Sequence, residues 1–422
     1  MSSSAPNSDP ATFPLSTPLR PRVVLKARRA RPFFARHPWV LVNSIERIEW
    51  SDSVDKITPG AEVDLVSFEG KWIARGLYNP SSSIRVRLYR WEDGPLDSPF
   101  WNRRLEEAVR FRQTTLAVPL ALEDPASACR LVYSEADGLS GLIVDRYADW
   151  LAIQFNGLGM YRRKDHLIPK LLELTGAVGA VARFDKVIAD QEGLAESDKV
   201  MVGEPPSAPL EIRQDGLTYL ADVLYGQKTG LYLDQRLNRL AAARYARGRC
   251  VLDLYCHVGG FSLVALKHGG AVSSLGFDSS SVAVEFARRH AVINHLPTAR
   301  FEVAHVPDAL KMLKATGRTF GMVVVDPPKF ARSTKGVEEA VKAYVRLNCD
   351  AVSLLEPDGI LVTCSCSGLI ERELFLQLLG HVAEQTGRTI QILESRGQAP
   401  DHPVAANCLE TDYLKCVIAR IL

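Results

Sequence analysis

From residue 217 to the C-terminus, short apolar runs alternate with segments of helical period, and this alternation leaves few folds open. The order is helix 234–246, strand 249–255, helix 260–268, strand 272–277, helix 281–293, strand 299–304, helix 308–315, strand 320–325, helix 336–353, strand 358–363, helix 370–386 and closing strands near 391–395 and 412–420. Apolar strands separated by helices build a parallel sheet covered on both faces, here a doubly wound, Rossmann-like one. Such a sheet takes its ligand across the C-terminal ends of the strands, where the strand order reverses.

Three of these runs end abruptly in polar chemistry. Cys250-Val251-Leu252-Asp253-Leu254-Tyr255-Cys256 opens into His257-Val258-Gly259-Gly260-Phe261. Val323-Val324-Val325 leads to Asp326-Pro327-Pro328-Lys329-Phe330, and Leu361-Val362-Thr363 to Cys364-Ser365-Cys366-Ser367-Gly368. A strand, two glycines and a helix can cradle a nucleotide, because glycine lets the backbone approach closely; a plain tight turn uses the same residues. Asp278 closes the next strand and could accept both hydroxyls of a ribose. It could equally cap the following helix, a service open to Ser279 or Ser280 as well. Asp308, after the third strand, could take an adenine amino group or cap its helix.

Asp326 and the two prolines behind it form a rigid loop poor in N–H groups, which can hold a carboxylate against the edge of a flat base or serve simply as a stiff turn. Thiols at 364 and 366 allow covalent chemistry. A thiolate that adds to C6 of a pyrimidine makes C5 nucleophilic toward an electrophilic methyl group. A free thiol titrates near about 8.5, so the site should supply a cation or dipole, and Lys329 is the candidate. Buried, inert cysteines are the alternative. Together the three loops suggest methyl transfer to a nucleic-acid base; none would do so alone.

With 422 residues the chain exceeds one ordinary core, and four segments are expected. Residues 1–19, rich in Ser, Pro and Ala, read as a disordered tail without the apolar centre of a targeting peptide. Residues 20–92 hold several short strands (61–66, 72–78, 83–88) and read as a small β-barrel, with Arg85 and Arg87 on one face of a half-exposed strand. Arg20, Arg22, Lys26, Arg28, Arg29, Arg31 and Arg36 occur with no acid until Glu46, a pattern for phosphate contact or for a solvated face. Residues 93–205 read as a central α/β domain with helices at 98–117 and 163–175, and a linker at Glu204–Pro209 leads into the last domain, 206–422. The net charge is only +2, so any nucleic acid must be held by local patches. The eight cysteines form no C-x-x-C pair, which argues against a metal site and for a reducing cytoplasm. No apolar run is long enough to span a membrane.

The set Gly226-Gln227-Lys228-Thr229-Gly230, Asp234-Gln235-Arg236, Asp253 to Phe261, Asp326 to Phe330, Ser365-Cys366-Ser367-Gly368 and Asp401-His402-Pro403, with Ser134 to Tyr147 upstream, resembles the PUA-containing class I methyltransferases that methylate C5 of a cytosine in large-subunit ribosomal RNA. The resemblance runs from about residue 20 to the C-terminus. It implies a PUA-like RNA-binding domain, a central α/β domain and a methyltransferase domain that holds S-adenosylmethionine. It carries the nucleophile to Cys366, with Cys364 where a non-thiol is common, and places Asp326 on N3 or N4 of the cytosine. Asp278 would hold the ribose and Asp308 the adenine, with Asp253, Tyr255, Gly259, Phe261, Ser279 and Asp326 completing the cofactor site. Ribosomal RNA is the implied partner, without membrane or metal; a homodimer is compatible with it. Two departures stand out: His257 and Val258 before the glycine pair, and Lys329 where other RNA cytosine-C5 methylases carry a second cysteine. The base for the C5 proton is not identified. A base N-methylase that needs no thiol, and a non-catalytic RNA-binding protein, are the rival readings.

Overall fold

The computed structural model describes residues 20–50, 57–118, 123–124, 126–226, 230–331 and 333–422. The expected tail at 1–19 and Gln227-Lys228-Thr229 lie outside the described residues. The chain divides into two compact units between Leu96 and Asp97.

The first unit is a six-stranded sheet of β1 (Arg22–Leu25), β2 (Trp39–Leu41), β3 (Ile45–Glu49), β4 (Glu62–Val66), β5 (Trp72–Tyr78) and β6 (Ile84–Arg90) in the order β2-β6-β5-β4-β1-β3. All pairs are antiparallel except β1–β4. It wraps one apolar core of Val23, Leu25, Val40, Val63, Leu65, Ile73, Val86 and Leu88. The expected row of exposed arginines on β6 is not found. Arg87 is buried, and the Arg85 guanidinium is taken up by the carbonyls of Asn79 and Pro80. Between β1 and the short helix α1 (Arg31–Phe34), by contrast, Lys26, Arg28, Arg29 and Arg31 are exposed and make no ion pair among the described residues.

The second unit contains a five-stranded sheet of β7 (Ala128–Tyr133), β8 (Leu142–Tyr147), β9 (Trp150–Phe155), β10 (Gly179–Arg183) and β11 (Lys199–Val202), in the order β11-β10-β9-β8-β7. Helix α2 (Ser98–Arg110), capped by the Asp97 carboxylate at the Phe100 N–H, packs on β7. The helix expected over 98–117 continues past Arg110 only as a wider turn, Phe111–Thr115, which buries Arg112. Helices α3 (Leu158–Tyr161), α4 (Lys164–Thr175) and α5 (Lys186–Glu192) connect the later strands, and the hairpin β12 (Leu210–Gln214) and β13 (Leu217–Ala221) follows.

The last sheet comprises β14 (Cys250–Leu254), β15 (Ser273–Asp278), β16 (Ala299–Val303), β17 (Phe320–Val325), β18 (Leu355–Ser365), β19 (Ile390–Arg396) and β20 (Lys415–Ile421), in the order β16-β15-β14-β17-β18-β20-β19. Helices α6 (Arg236–Ala243), α7 (Gly260–Gly269), α8 (Ser281–Ile293), α9 (Val306–Ala315), α10 (Val337–Val352) and α11 (Arg372–Thr386) fall close to the expected spans. The two-residue period of the strands splits their side chains between two cores. Leu252, Leu254, Val323 and Val325 share one with residues of α9, α10 and α11, while Val251, Met322 and Val324 share the other with α6 and α7. The first five strands are parallel, but β20 is inserted antiparallel between β18 and β19. Strand order reverses between β14 and β17, so the loops after β14, β15, β17 and β18 meet at one edge.

Candidate active site

The loop after β14 is held in an unusual conformation. Tyr255, His257 and Gly259 all have positive φ (62°, 48° and 84°), a region that costs a non-glycine residue of order 1–3 kcal/mol and persists only where the surroundings impose it. They do so here. The Cys256 N–H donates to the Phe277 carbonyl, and the His257 N–H to Asp278 Oδ2 at 2.9 Å. At Gly259 a Cβ would lie 2.7 Å from the Phe301 ring, so neither its backbone nor its space admits a side chain. Gly260 opens α7 beneath the Arg239 guanidinium.

Asp253 is buried, and its Oδ2 accepts from the Ser262 N–H (3.1 Å) and hydroxyl (2.8 Å). Its Oδ1 has no hydrogen-bond partner among the described residues. Burial raises the carboxyl to about 6, against the pull of the two Ser262 bonds. Asp278 is fixed by two backbone N–H groups, His257 at Oδ2 and Ser280 at Oδ1, and the Ser280 hydroxyl caps α8. The cap that could have explained Asp278 therefore belongs to its neighbour. Ser279 is exposed beside it, and Asp308 is exposed in the first turn of α9, paired with His305 and Lys311. Phe261, expected at the cofactor, is instead a core residue among Val251, Ala265 and Met322, because it lies on the inner face of α7. An unsatisfied buried carboxylate oxygen, a glycine cradle and a pre-oriented acid after β15 suit the cationic amino acid end, the backbone-facing middle and the ribose of an adenosyl cofactor.

Across the switch point, Asp326 is half-buried at the end of β17, and its carboxyl is raised to about 7, first by burial and then by the charge of Asp234. The β18 loop brings Cys366 over the proline loop, with Sγ 3.9 Å from the Pro327 carbonyl oxygen. Cys364 lies within the sheet, fully buried opposite Cys416 of β20, and its thiol is pushed well above the usual range by burial. The Ser367 hydroxyl donates to the Ala331 carbonyl, and Lys415 Nζ, buried on β20, donates to the carbonyls of Ser367 (2.6 Å) and Tyr413 (2.9 Å). Lys329, the expected cation, is exposed on the proline loop, near enough for its charge to act on Lys415. Lys415 is a second, buried ammonium at the thiol loop, lowered to about 8 by burial.

Sequence reasoning missed Lys415, although a lysine at the head of an otherwise apolar strand is a signal that can be read. It also left Asp234-Gln235-Arg236 without a role. The Tyr147 hydroxyl bonds both backbone groups of Leu231, and Ala399 N–H donates to the Asp234 carbonyl, which together seat this segment in the cleft. Tyr232 then lies edge-on to His257, ring centroids 4.8 Å apart, and its phenol is raised first by burial and then by the charges of Asp326, Asp234, Cys366 and Asp278. Gln235 Nε2 donates to Asp326 Oδ2 at 3.1 Å. Asp401-His402-Pro403 has a structural part. Asp401 accepts from Arg130 N–H and pairs with His402, while Arg112 donates to its carbonyl, so the motif joins this loop to the central sheet. Gly226 and Gly230 of the remaining motif flank a cavity of about 220 Å³ that also touches His257, Val258 and Ser280. All eight cysteines are free thiols, and no helix among the described residues is long and apolar enough to cross a membrane.

Comparison with known proteins bears on this arrangement. A PUA-like domain family matches residues 23–91, and an S-adenosylmethionine-dependent methyltransferase family matches residues 168–411. The ribosomal RNA large subunit methyltransferase I of Tolumonas auensis is 38% identical over 404 residues, covering 95% of this chain and 99% of that protein. The Escherichia coli O139:H28 protein of the same name is 35% identical over 405 residues, with the same coverages. Among solved structures, SMU.776, a putative methyltransferase complexed with S-adenosylhomocysteine, superposes with a TM-score of 0.80 at 18% identity, covering 94% of this chain and 99% of that one. At that identity the likeness concerns the fold.

Proposed function

Because the chain belongs to the ribosomal RNA large subunit methyltransferase I family of S-adenosylmethionine-dependent enzymes, we propose that it methylates C5 of a cytosine in large-subunit ribosomal RNA, with Cys366 as nucleophile. The observation that carries the reading is the separation of the two thiols: Cys366 rests on the proline loop at the cleft, while Cys364 is sealed against Cys416.

Asp253, the Gly259 loop, Asp278 and Asp308 would hold the cofactor, which supplies an electrophilic methyl group. Exposed Lys26, Arg28, Arg29 and Arg31 in the PUA-like unit suit the RNA backbone. The target base leaves its stack to reach the cleft. The Cys366 sulfur bonds to C6, the ring electrons move through C4 toward N3, and N3 takes a proton from Asp326. With S-adenosylmethionine bound, C5 would take its methyl group, the neutral thioether S-adenosylhomocysteine being the leaving group, and would then lose its own proton to water. Departure of the thiolate restores the C5–C6 double bond, and N3 returns its proton to Asp326. Lys415 holds the loop that carries the thiol and sets a positive charge beside it.

The test is transfer of labelled methyl to deproteinised large-subunit ribosomal RNA and to the assembled subunit, with the product nucleosides identified by mass. 5-Methylcytidine from the wild type and from Cys364→Ala, and none from Cys366→Ala, is the expected result. Any other methylated nucleoside, or full activity of Cys366→Ala, would replace this reading with base N-methylation.

A further inference from the structure

We propose that Gln235 decides which pyrimidine the site accepts, by confining the proton of Asp326 to its Oδ1 oxygen; the inference rests on the reading that Asp326 meets the edge of the target base. Arg396 Nε, which can only donate, bonds Asn238 Oδ1 at 3.0 Å. Asn238 Nδ2 donates to the Gly397 carbonyl, which can only accept, at 3.0 Å, and to Gln235 Oε1 at 2.7 Å. These two obligate partners settle the Asn238 amide and, through it, the Gln235 amide, leaving Gln235 Nε2–H to face Asp326 Oδ2 at 3.1 Å. Gln235 and Asn238 are 3% and 1% exposed, so no water competes for these positions.

A proton on Oδ2 would face that N–H. Neutral Asp326 therefore carries its proton on Oδ1, since the hydrogen bond its carboxyl accepts among the described residues falls on Oδ2. Burial and the nearby Asp234 keep the neutral form populated near neutral pH, and Arg239 and the Gln235 hydrogen bond oppose them. An Oδ1–H donor is matched by the bare N3 of cytosine, whereas the N3–H of uracil would meet it donor to donor. Buried donors and acceptors left unpaired in this way are what let a site reject a near-isosteric substrate. The proton passes from Oδ1 to N3 as the S–C6 bond forms and returns when that bond breaks. Gln235 touches the buried Cys364 thiol but neither the Cys366 sulfur nor the base in this scheme, and is a positioning residue.

The experiment maps the methylated position in large-subunit ribosomal RNA and compares that RNA with one carrying uridine there, using the full chain and S-adenosylmethionine. The wild type should form at least a hundredfold less 5-methyluridine than 5-methylcytidine. Gln235→Leu and the isosteric Gln235→Glu, whose carboxyl can accept a proton from Oδ2, should each lower that ratio at least tenfold while cofactor affinity stays within about twofold. An unchanged ratio in both variants, or loss of cofactor binding in both, would overturn the role of Gln235 and leave the C5 reading standing. A wild type that forms no 5-methylcytidine would overturn the C5 reading and this inference together.

Discussion

The sulfur of Cys366 lies 3.9 Å from the carbonyl oxygen of Pro327, so the thiol that ends β18 rests on the rigid loop that ends β17. Two adjacent parallel strands thereby hold the proposed nucleophile and the carboxyl of Asp326 on one edge, and two prolines remove most of the freedom with which that edge could shift.

Cys364 is two residues from this thiol yet belongs to the sheet. Its replacement by alanine should leave methyl transfer within about twofold and lower unfolding free energy by about 1–2 kcal/mol, through the small cavity left against Cys416. Urea denaturation beside an activity assay checks both. A Cys364→Ala protein that folds but is inactive would make 364 the nucleophile.

Asp326 holds its proton up to about pH 7 in the folded chain, whereas an unfolded aspartate loses it near about 3.9. The folded state thus binds more protons between those values, and stability falls as pH rises through that window. Asp326→Asn should abolish turnover yet gain Tm relative to wild type on going from pH 4 to pH 8. A Tm difference that is flat with pH would contradict the raised carboxyl.

Gly259→Ala places a methyl group 2.7 Å from the Phe301 ring at a φ of 84°. The strain should cost about 2 kcal/mol or more and weaken S-adenosylmethionine binding at least tenfold, as read by calorimetry. Retained affinity would detach this loop from the cofactor.

Lys415→Met removes the buried ammonium at the Ser367 carbonyl. Alkylation of Cys366 by iodoacetamide, followed by peptide mapping, should slow several-fold at pH 7 and recover only at higher pH, since the thiolate loses its nearby cation. Lys415→Arg should restore part of the rate. Equal alkylation of Lys415→Met and wild type would reduce Lys415 to a structural tie.

His290 joins the cofactor loop to β13: its Nε2 accepts from Leu220 N–H at 2.8 Å, and its Nδ1–H donates to the Val258 carbonyl at 3.1 Å. Burial lowers it to about 4. The neutral ring therefore contributes stability fully above about pH 6.5, and that contribution is lost as pH falls toward 4. The Tm advantage of wild type over His290→Gln should shrink across that window; an advantage constant with pH would rule the linkage out.

Much of the fold was legible in order along the chain. The strand and helix spans of 250–386 could be read because continuous apolar runs and a 3.6-residue period are local properties; Asp278, Asp326 and Cys366 stand at or just past run ends, and Asp253 interrupts an apolar run from inside, where it is buried. The antiparallel insertion of β20 was not legible, since an apolar strand reads the same in either direction, and this insertion is what brings Lys415 under the thiol loop. Lys329 was legible because it stands three residues after Asp326, whereas Lys415 reaches the same loop only through the fold.

The sequence by itself determined a doubly wound sheet, the acids at its strand ends and a thiol on the fifth strand's loop, because each depends on residues within a few positions of one another. Only the tertiary structure decided which thiol lies on the proline loop, which lysine is buried at the thiol loop and which oxygen of Asp326 meets Gln235. Those depend on Cys416, Lys415 and the chain from Arg396 through Asn238 to Gln235, residues distant in sequence whose buried polar groups must find partners once water is excluded.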